Sequence, residues 1–376
     1  MDWIGMLLWL AGVLIFLFIL MVSVGLHEGG HMVAAKKLGV KVPEFFVGFG
    51  RKVFSFKRNG TEYGFRWIPA GGYVRLVDES IEEGNPQREL LSNVAPWKRQ
   101  IIYVAGPLVN IVLGFAILFS TILIYPYNEP DTAIRSVNSC SSSEVVCGAE
   151  AVGMKPGDRV LSIDGTKVKE YTEIAPLLKD KSSVDIVASR DGKTMDFDSV
   201  PIKDNRFGVN LALKEIYRTP GESAAVTVQL VGKSAEAVLQ IPSKIPGLVA
   251  TVFAGAPRDP EAPGSVVGAG KTYGDVAATN KIDVGEKVRT FLLIAGGLNM
   301  SLGFLNLLPF PPLDGGRMLF AFIDSCRKFV SKLRRKNYTP TPYKWIRIAT
   351  LVPAIMLFGV MALLILADIV SPVSLF

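Results

Sequence analysis

The chain has 376 residues, of which 49% are hydrophobic and 20% are charged, and its formal net charge is +7. Four long runs contain no charged residue at all, which excludes an ordinary water-soluble fold. The basic residues stand mainly in short segments beside these runs, so membrane topology accounts for the net charge and nucleic-acid binding is not indicated.

Each of the four apolar runs is long enough to cross a bilayer as a helix. Roughly 20 apolar residues span the about 30 Å of hydrocarbon in a membrane. The sequence therefore predicts a polytopic α-helical membrane protein with four transmembrane helices, and the lipid bilayer is its first expected partner. The runs cover residues 3–26, 101–128, 290–313 and 348–367.

The distribution of basic residues predicts the orientation of these helices. Residues 36–100 contain 12 lysines and arginines, and residues 317–347 contain nine against a single acid, Asp324. Short basic flanks lie on the cytoplasmic side of a membrane, whereas a long segment such as 129–285 crosses regardless of its charge. We therefore expect both termini and residues 129–285 outside the cytoplasm. A bacterial inner membrane fits this multi-pass arrangement best.

These assignments divide the chain into four parts. The first is an N-terminal membrane half, the second an inserted extracytoplasmic domain, the third a connector at the membrane surface, and the fourth a C-terminal membrane half. Within the connector, residues 222–241 have the pattern of a helix with an apolar stripe. The four parts comprise residues 1–128, 129–213, 214–285 and 286–376.

A cytoplasmic, membrane-associated β-hairpin is predicted at about residues 52–75. Asn59-Gly60 stands between two runs of β-forming residues, which is a strong signal for a hairpin turn. Tyr63 and Phe65 alternate with polar or small residues and so share one face of the second strand. Two interpretations remain open: a hairpin that only lies on the lipid headgroups, and a strand edge that pairs with an extended peptide.

The inserted segment begins with a compact β-rich domain. The sequence from Gly157 to Val168 predicts a strand, a tight turn at Asp164-Gly165 and a second strand. These residues resemble the "GDxIxxIDGxxV" pattern of PDZ domains of the bacterial protease type, which implies a PDZ fold. Peptide binding and a role as a spacer or steric filter both agree with this resemblance.

The three cysteines fall on both sides of the predicted membrane. Cys140 and Cys147 lie in the outside segment, where oxidising conditions permit a disulfide. The sequence leaves open whether these two residues are bridged. Cys326 lies on the cytoplasmic side and is expected to be a free thiol.

The only two histidines of the chain, His27 and His31, follow the first apolar run. Residues four apart share one helix face, so both imidazoles can bind one metal ion. Glu28 lies about 100° around the helix from His27 and can accept a proton from a metal-activated water. This is the H-E-x-x-H pattern of zinc peptidases. Ionisable side chains at membrane depth are costly and usually functional, so a metal site is predicted.

A catalytic zinc site needs three protein ligands and one open position. The chain has no third histidine and no well-placed cysteine, so a carboxylate is expected. Asp314 is the best candidate, because it follows the third apolar run on the same side of the membrane. Three prolines before it break the helix, and two glycines after it allow a sharp turn. An aspartate that only caps a following helix is the alternative interpretation.

The sequences "HEGGH" (27–31) and "NLLPFPPLDGG" (306–316) together resemble the motif pair of the site-2 protease family of intramembrane zinc metalloproteases, which includes bacterial regulatory proteases of the RseP type. A G-P-x-x-N sequence ending at Asn110 is similar to a third family motif. The order of the segments agrees over nearly the whole chain. The chain departs from the RseP type because it has one recognisable PDZ domain instead of two.

The resemblance implies an intramembrane endopeptidase with one zinc ion per chain. Its substrates would be single-span membrane proteins, such as anti-sigma factors that another protease has already cut outside the membrane. His27, His31 and Asp314 would bind the zinc, and Glu28 would be the general acid and base. The glutamate beside the first ligand disfavours a non-catalytic scaffold, and ligands at one membrane level disfavour a metal transporter.

Four further residues would contact the substrate if the resemblance holds. Asn306 would bind the substrate backbone, and Asn110 belongs to the same candidate group. An interhelical hydrogen bond is the alternative interpretation for both asparagines. The hairpin residues Tyr63 and Phe65 would take part in pairing with an unwound substrate.

Overall fold

The chain folds into two compact units. The membrane unit comprises residues 1–122 and 222–376, and the inserted unit comprises residues 123–221. Each unit has its own apolar clusters, and each is described separately here. The computed structural model describes residues 2–139, 147–259, 262–335 and 337–372.

Helices make up most of the membrane unit. In chain order, the helices of the described residues are α1 (Trp3–Lys37), α2 (Pro96–Ile124), α3 (Gly148–Ala151), α4 (Ile174–Leu178), α5 (Pro220–Ala254), α6 (Val266–Ala278), α7 (Val284–Leu307), α8 (Asp314–Leu333) and α9 (Tyr343–Val370). Among the described helices, α1, α2, α5, α7 and α9 are long and apolar enough to cross a membrane. Four of these coincide with the predicted runs, whereas α5 falls in the predicted connector. The count of four crossings therefore stays a prediction.

The histidine motif lies near the C-terminal end of α1. The helix begins after Asp2, whose carboxylate accepts a hydrogen bond from the Gly5 N–H at 2.8 Å. Apolar residues surround its first two-thirds, as expected of a helix in contact with lipid. Lys36 and Lys37 occupy the last turn, and Gly39 leaves the helix with a positive φ of 77°. The motif thus lies within about three turns of the basic end.

The predicted hairpin is present and is longer than expected. Strands β1 (Lys41–Arg58) and β2 (Thr61–Val77) pair antiparallel. Asn59 and Gly60 form the turn between them with positive φ values of 48° and 74°. An Asn-Gly pair favours this turn because both positions tolerate the left-handed conformation. The predicted turn is therefore confirmed.

Both strands of the hairpin bend, so that it forms a sheet of four segments. Residues 44–47 pair with 62–65 on one side and with 72–75 on the other, and 62–65 also pair with 54–57. The order across the sheet is therefore 54–57, 62–65, 44–47 and 72–75. Residues 72–75 form an edge, because no other described strand pairs with their outer side.

The inserted unit contains a second, six-stranded sheet. Its strands are β3 (Tyr127–Val137), β4 (Arg159–Ile163), β5 (Thr166–Lys167), β6 (Ser183–Arg190), β7 (Lys193–Pro201) and β8 (Val209–Ile216). The strand order is β7-β6-β4-β3-β8, with β5 paired to β4, and all pairs are antiparallel. The predicted turn at Asp164-Gly165 is present, with positive φ at both residues. The identification of this unit as a PDZ domain stays a prediction.

The side chain of Asp158 is fully buried and connects two segments of the inserted unit. This residue belongs to the motif that suggested the PDZ fold. Its carboxylate accepts hydrogen bonds from the Lys155 N–H at 2.8 Å and from Arg190 Nε at 2.6 Å. Burial is the largest influence and opposes ionisation, yet these hydrogen bonds leave the pKa of Asp158 below its ordinary value. The residue therefore joins the end of β6 to the loop before β4.

The structure describes two of the three cysteines, Cys147 and Cys326. Cys140 lies outside the described residues, so the candidate disulfide between Cys140 and Cys147, which the sequence left open, stays open. Cys326 is a free and exposed thiol, as expected for the cytoplasmic side.

Candidate metal centre and active site

The structure brings both histidines and Asp314 to one point. His27 and His31 lie one helical turn apart on α1, and their Nε2 atoms are 3.2 Å from each other. Asp314 Oδ2 is 3.1 Å from each of these nitrogens. One ligand atom from each of the three residues lies within 4.8 Å of the other two, and all three residues are buried. Residues from opposite ends of the chain thus converge as the sequence predicted.

Asp314 reaches this point because α7 and α8 are separated by a short non-helical segment. Helix α7 ends at Leu307, and α8 begins at Asp314. The sequence analysis expected Gly315 and Gly316 to make a turn, but both residues are helical. A Cβ atom on Gly315 would collide with the Leu307 and Leu308 carbonyls, and one on Gly316 would collide with Pro311. The glycines are thus needed because α8 packs directly on the preceding segment.

The donor set fits a zinc ion. The Nδ1 atom of His31 lies 2.7 Å from the Ile102 carbonyl oxygen. If it donates a proton to that oxygen, the Nε2 lone pair is directed toward Asp314 and His27. Two imidazoles and one carboxylate, with a fourth position open, are the ligands of many catalytic zinc sites. Without a cation, these three buried acceptor groups would face one another, which is costly.

Close contact between α1 and α2 holds the motif in place. A Cβ atom on Gly30 would lie 2.6 Å from the Ala105 carbonyl oxygen, and one on Gly106 would collide with the His31 ring. By contrast, a Cβ atom on Gly29 would meet nothing within 4 Å. The two glycines of the motif therefore differ: Gly30 permits close helix packing, and Gly29 faces open space.

A cavity of about 470 Å³ adjoins the three ligands and extends to other predicted residues. Glu28 lines it beside His27 and His31, and so do Asn306 and Asn110. Asn110 is almost completely buried, and its side-chain oxygen has no hydrogen-bond partner within the described chain. That oxygen does not serve the interhelical hydrogen bond that was the alternative interpretation.

Tyr63 and Phe65 do not reach this cavity. The Tyr63 hydroxyl accepts a hydrogen bond from Lys36 at 2.8 Å, and its ring stacks on Phe56. Both residues belong to the segment 62–65, which already has a paired neighbour on each side. A strand with two paired neighbours has no free edge at which a substrate peptide could pair. The substrate-pairing role predicted for Tyr63 and Phe65 therefore has no support in the structure.

The sequence analysis did not identify the part of β2 that lines the cavity. Gly71, Gly72, Tyr73 and Val74 border it, and they include the start of the free sheet edge. A Cβ atom on Gly72 would lie 3.1 Å from Glu28 Cγ, so this edge passes close to the predicted base. The Gly71-Gly72 pair was the available signal, because paired glycines inside a strand indicate a close approach of the backbone to another group.

Comparison with known proteins agrees with this geometry. The chain matches peptidase family M50 over residues 15–342. It is 32% identical to the zinc metalloprotease Rip1 of Mycobacterium tuberculosis over 410 aligned positions, which cover 98% of this chain and 100% of that protein. It is 31% identical to Rip1 of Mycobacterium bovis, with the same coverage of both proteins. The identity to Rip1 of Mycolicibacterium smegmatis is 30%, over 97% of this chain and 98% of that protein.

The chain therefore belongs to peptidase family M50, the site-2 protease family of intramembrane zinc metalloproteases. It is a multi-pass membrane protein, its cofactor is Zn²⁺, and its general activity is proteolysis of membrane proteins. The predicted family, enzyme class and cofactor are confirmed.

The contrast between the motif glycines can be tested with alanine. We expect Gly30→Ala and Gly106→Ala to lower the zinc content per chain and to destabilise the protein by about 1–3 kcal/mol, because each added methyl group overpacks the α1–α2 contact. Gly29→Ala is the matched control and should keep full zinc, since alanine is favoured over glycine in a helix by about 1 kcal/mol. Elemental analysis and thermal unfolding in detergent measure both effects. Equal zinc loss in all three variants would contradict this assignment.

Proposed function

We propose that His27, His31 and Asp314 hold the zinc ion and that the adjoining cavity is where the substrate peptide bond is cut. The observation that carries this proposal is the convergence of three buried ligand atoms from α1 and α8. Zinc bound there supplies the Lewis acidity that polarises a carbonyl group and acidifies a water molecule. A structural site would not require an open cavity beside its ligands, whereas a catalytic site does.

Glu28 is the proton carrier in this proposal. Its side chain borders the same cavity as the three ligands but is not a member of the ligand cluster. The carboxylate would take a proton from the attacking water and later deliver it to the leaving amine nitrogen. Asn306 and Asn110 also border the cavity. Their amide groups are suited to hydrogen-bond the substrate backbone, which loses its own helical hydrogen bonds when it unwinds.

The free edge of the hairpin sheet is the best place for an unwound substrate. A peptide bond inside a transmembrane helix is shielded by helical hydrogen bonds, and in lipid these cannot be replaced by water. No described strand pairs with the outer side of residues 72–75, and Gly72 at the start of this edge lies next to Glu28. Addition of the substrate as a further strand would satisfy both backbones. This role replaces the one predicted for the interior segment 62–65.

The position of α5 favours a topology with four membrane crossings and with both termini outside the cytoplasm. Near its start, Val226 belongs to the same apolar cluster as Ile122 in the last turn of α2. Four residues beyond its end, Arg258 contacts Asp368 in the last turn of α9 at 2.5 Å. Helices α2 and α9 both start beside basic segments, so their last turns lie at the same side. A helix with both ends at one side does not cross the membrane, and this side is the outer one by the positive-inside rule.

The proposed substrates are single-span proteins of the bacterial inner membrane. Anti-sigma factors that have been shortened outside by another protease are the leading candidates, with the family resemblance as the support. The active site would then open toward the cytoplasmic side, because the motif lies near the basic end of α1.

Two substitutions separate zinc binding from catalysis. Glu28→Gln should keep one zinc per chain but lower cleavage of a model single-span substrate by roughly a hundredfold or more, because the general base is lost. Asp314→Ala should lower the zinc content itself, because one of three ligands is removed. Zinc analysis and a gel-based cleavage assay measure these effects. Full cleavage by Glu28→Gln would exclude Glu28 as the base, and unchanged zinc in Asp314→Ala would exclude Asp314 as a ligand.

Cysteine crosslinking can locate the strand that pairs with the substrate. The Glu28→Gln protein would carry either Val74→Cys, at the free edge, or Tyr63→Cys, in the interior segment. A substrate with one cysteine beside its cleavage site should form a disulfide with Val74→Cys and little with Tyr63→Cys. Preferential crosslinking to Tyr63→Cys would restore the original prediction and refute the free-edge proposal.

The position of α5 can be tested by labelling cysteines in intact cells. In a chain whose native cysteines are replaced by serine, Gly221→Cys and Gly255→Cys mark the two ends of α5. A membrane-impermeant maleimide should label both from outside, while Glu83→Cys in the predicted cytoplasmic segment should stay unlabelled. Labelling of only one end of α5 would show that this helix crosses the membrane.

A further inference from the structure

A second cavity of about 540 Å³ lies between the start of α2, the first half of α8 and the first half of α9. It shares Pro312 and Arg317 with the catalytic cavity but contains none of the proposed zinc ligands. The cavity has one polar end and one apolar side, and each is formed by residues with no role in the proposed reaction.

The polar end of this cavity carries an excess of positive charge. Three guanidinium groups, those of Arg99, Arg317 and Arg347, line it together with one carboxylate, that of Asp324. Arg99 and Asp324 neutralise each other through a buried contact of 2.9 Å. Within the part of the chain that the structure describes, the guanidinium groups of Arg317 and Arg347 have no hydrogen-bond or salt-bridge partner, and Arg317 has electrostatic interactions with Glu28 and Asp314. Two guanidinium groups are thus available to an anion.

Hydroxyl groups at the same end add hydrogen-bonding capacity. Ser92, Tyr103 and Tyr343 line the cavity beside the arginines. The Ser92 hydroxyl is engaged with Gln87. A planar guanidinium group binds phosphate through two parallel hydrogen bonds, and a nearby hydroxyl can donate a third. This combination suits a phosphate group better than it suits a metal cation or a neutral ligand.

The apolar side of the cavity is a stripe along α9. The side chains that line it recur every three or four residues from Tyr343 to Ala354, which is one face of a helix. Arg347 and Thr350 lie within this row, and its part beyond Arg347, which ends at Ala354, is about 10 Å long at 1.5 Å per residue. Ile346, Leu351 and Ala354 belong to it, and Phe320 of α8 borders it as well. A ligand that fills the whole cavity therefore needs an anionic head and an apolar tail.

Helix α8 supports a position at the membrane surface. It is not among the described helices that are apolar enough to cross a membrane. Phe322, Phe329 and Leu333 lie on one side of it with more than half of their surface exposed, while basic residues such as Lys328 and Lys332 alternate with them. An amphipathic, basic helix of this kind lies in the headgroup region of an anionic membrane. The cavity beside α8 thus opens at the level of the lipid phosphates.

We propose that this cavity binds one anionic phospholipid of the adjacent leaflet, with its phosphate between Arg317 and Arg347 and an acyl chain along the stripe on α9. The bilayer supplies such a lipid at high local concentration, which a free phosphate ion in solution does not match. Because Arg317 also borders the catalytic cavity, the bound lipid would lie next to the active site.

Lipid retention tests the proposal directly. The full chain would be reconstituted in bilayers of mixed phosphatidylglycerol and phosphatidylcholine, extracted into mild detergent and examined by native mass spectrometry. We expect phosphatidylglycerol to remain bound in preference to phosphatidylcholine. Arg347→Gln should reduce its retention by roughly fivefold, which corresponds to the contribution of one basic residue at a membrane surface.

Two further variants distinguish a specific lipid-binding site from non-specific electrostatic attraction of lipid to the helix. Lys344→Gln removes one positive charge from the same helix at a residue that does not line the cavity, so it should change retention little. Ala354→Phe fills the apolar end without changing charge, so it should reduce retention. The zinc content of every variant verifies folding, and Ala354→Phe still tests the site if Arg347→Gln loses zinc.

Three results would overturn the proposal. Equal retention of the two lipids would show that the arginines do not select an anion. Equal effects of Lys344→Gln and Arg347→Gln, with no effect of Ala354→Phe, would show diffuse attraction to the helix surface. Displacement of phosphatidylglycerol by inorganic phosphate at similar concentration would show that the cavity recognises a free ion and not a lipid.

Discussion

The contact of Asp314 with both imidazoles is the constraint on which the membrane unit depends. A carboxylate oxygen lies 3.1 Å from two buried nitrogens that belong to a helix almost 300 residues earlier in the chain. Burial of these groups without a cation would cost several kilocalories per mole. A zinc ion held there, as we propose, would offset that cost, so the site and the arrangement of α1 and α8 would stabilise each other. Metal binding in such a protein is also a contribution to folding.

Helix α2 aligns the two halves that supply these ligands. On one side, Gly30 of α1 lies against the Ala105 carbonyl. On the other side, a Cβ atom on Gly303 of α7 would lie 3.0 Å from the Pro107 carbonyl, and Gly114 of α2 packs equally closely on the Gly296 carbonyl. Lipid provides no hydrophobic driving force between helices, so close packing at small residues is the main source of association. The glycines of three helices therefore fix the level of the histidines relative to Asp314.

The residues to which we assign the chemistry could be found in the sequence because each has a local signature. Histidine spacing, a neighbouring glutamate and a helix broken by proline can all be recognised in the amino-acid sequence alone. The Asn59-Gly60 turn is local in the same sense. The free sheet edge could not be predicted, because it depends on how residues 44–47 pair with two distant segments at once. Helix α5 is a second example: its periodicity indicates an apolar face, but the contacts at its two ends, on which we base its proposed position, cannot be read from the sequence.

The buried pair of Arg99 and Asp324 explains how Asp314 is held after an irregular segment. Helix α8 starts with Asp314, and ten residues later Asp324 contacts Arg99 of α2 at 2.9 Å. Asp324 also accepts hydrogen bonds from the Thr341 N–H and hydroxyl, so it connects α8 to the chain that leads into α9. Loss of either partner would leave an unpaired buried charge, which is far more costly than the pair itself. The helix is therefore anchored at two points about 15 Å apart, and its first residue can move little even though no helix precedes it directly.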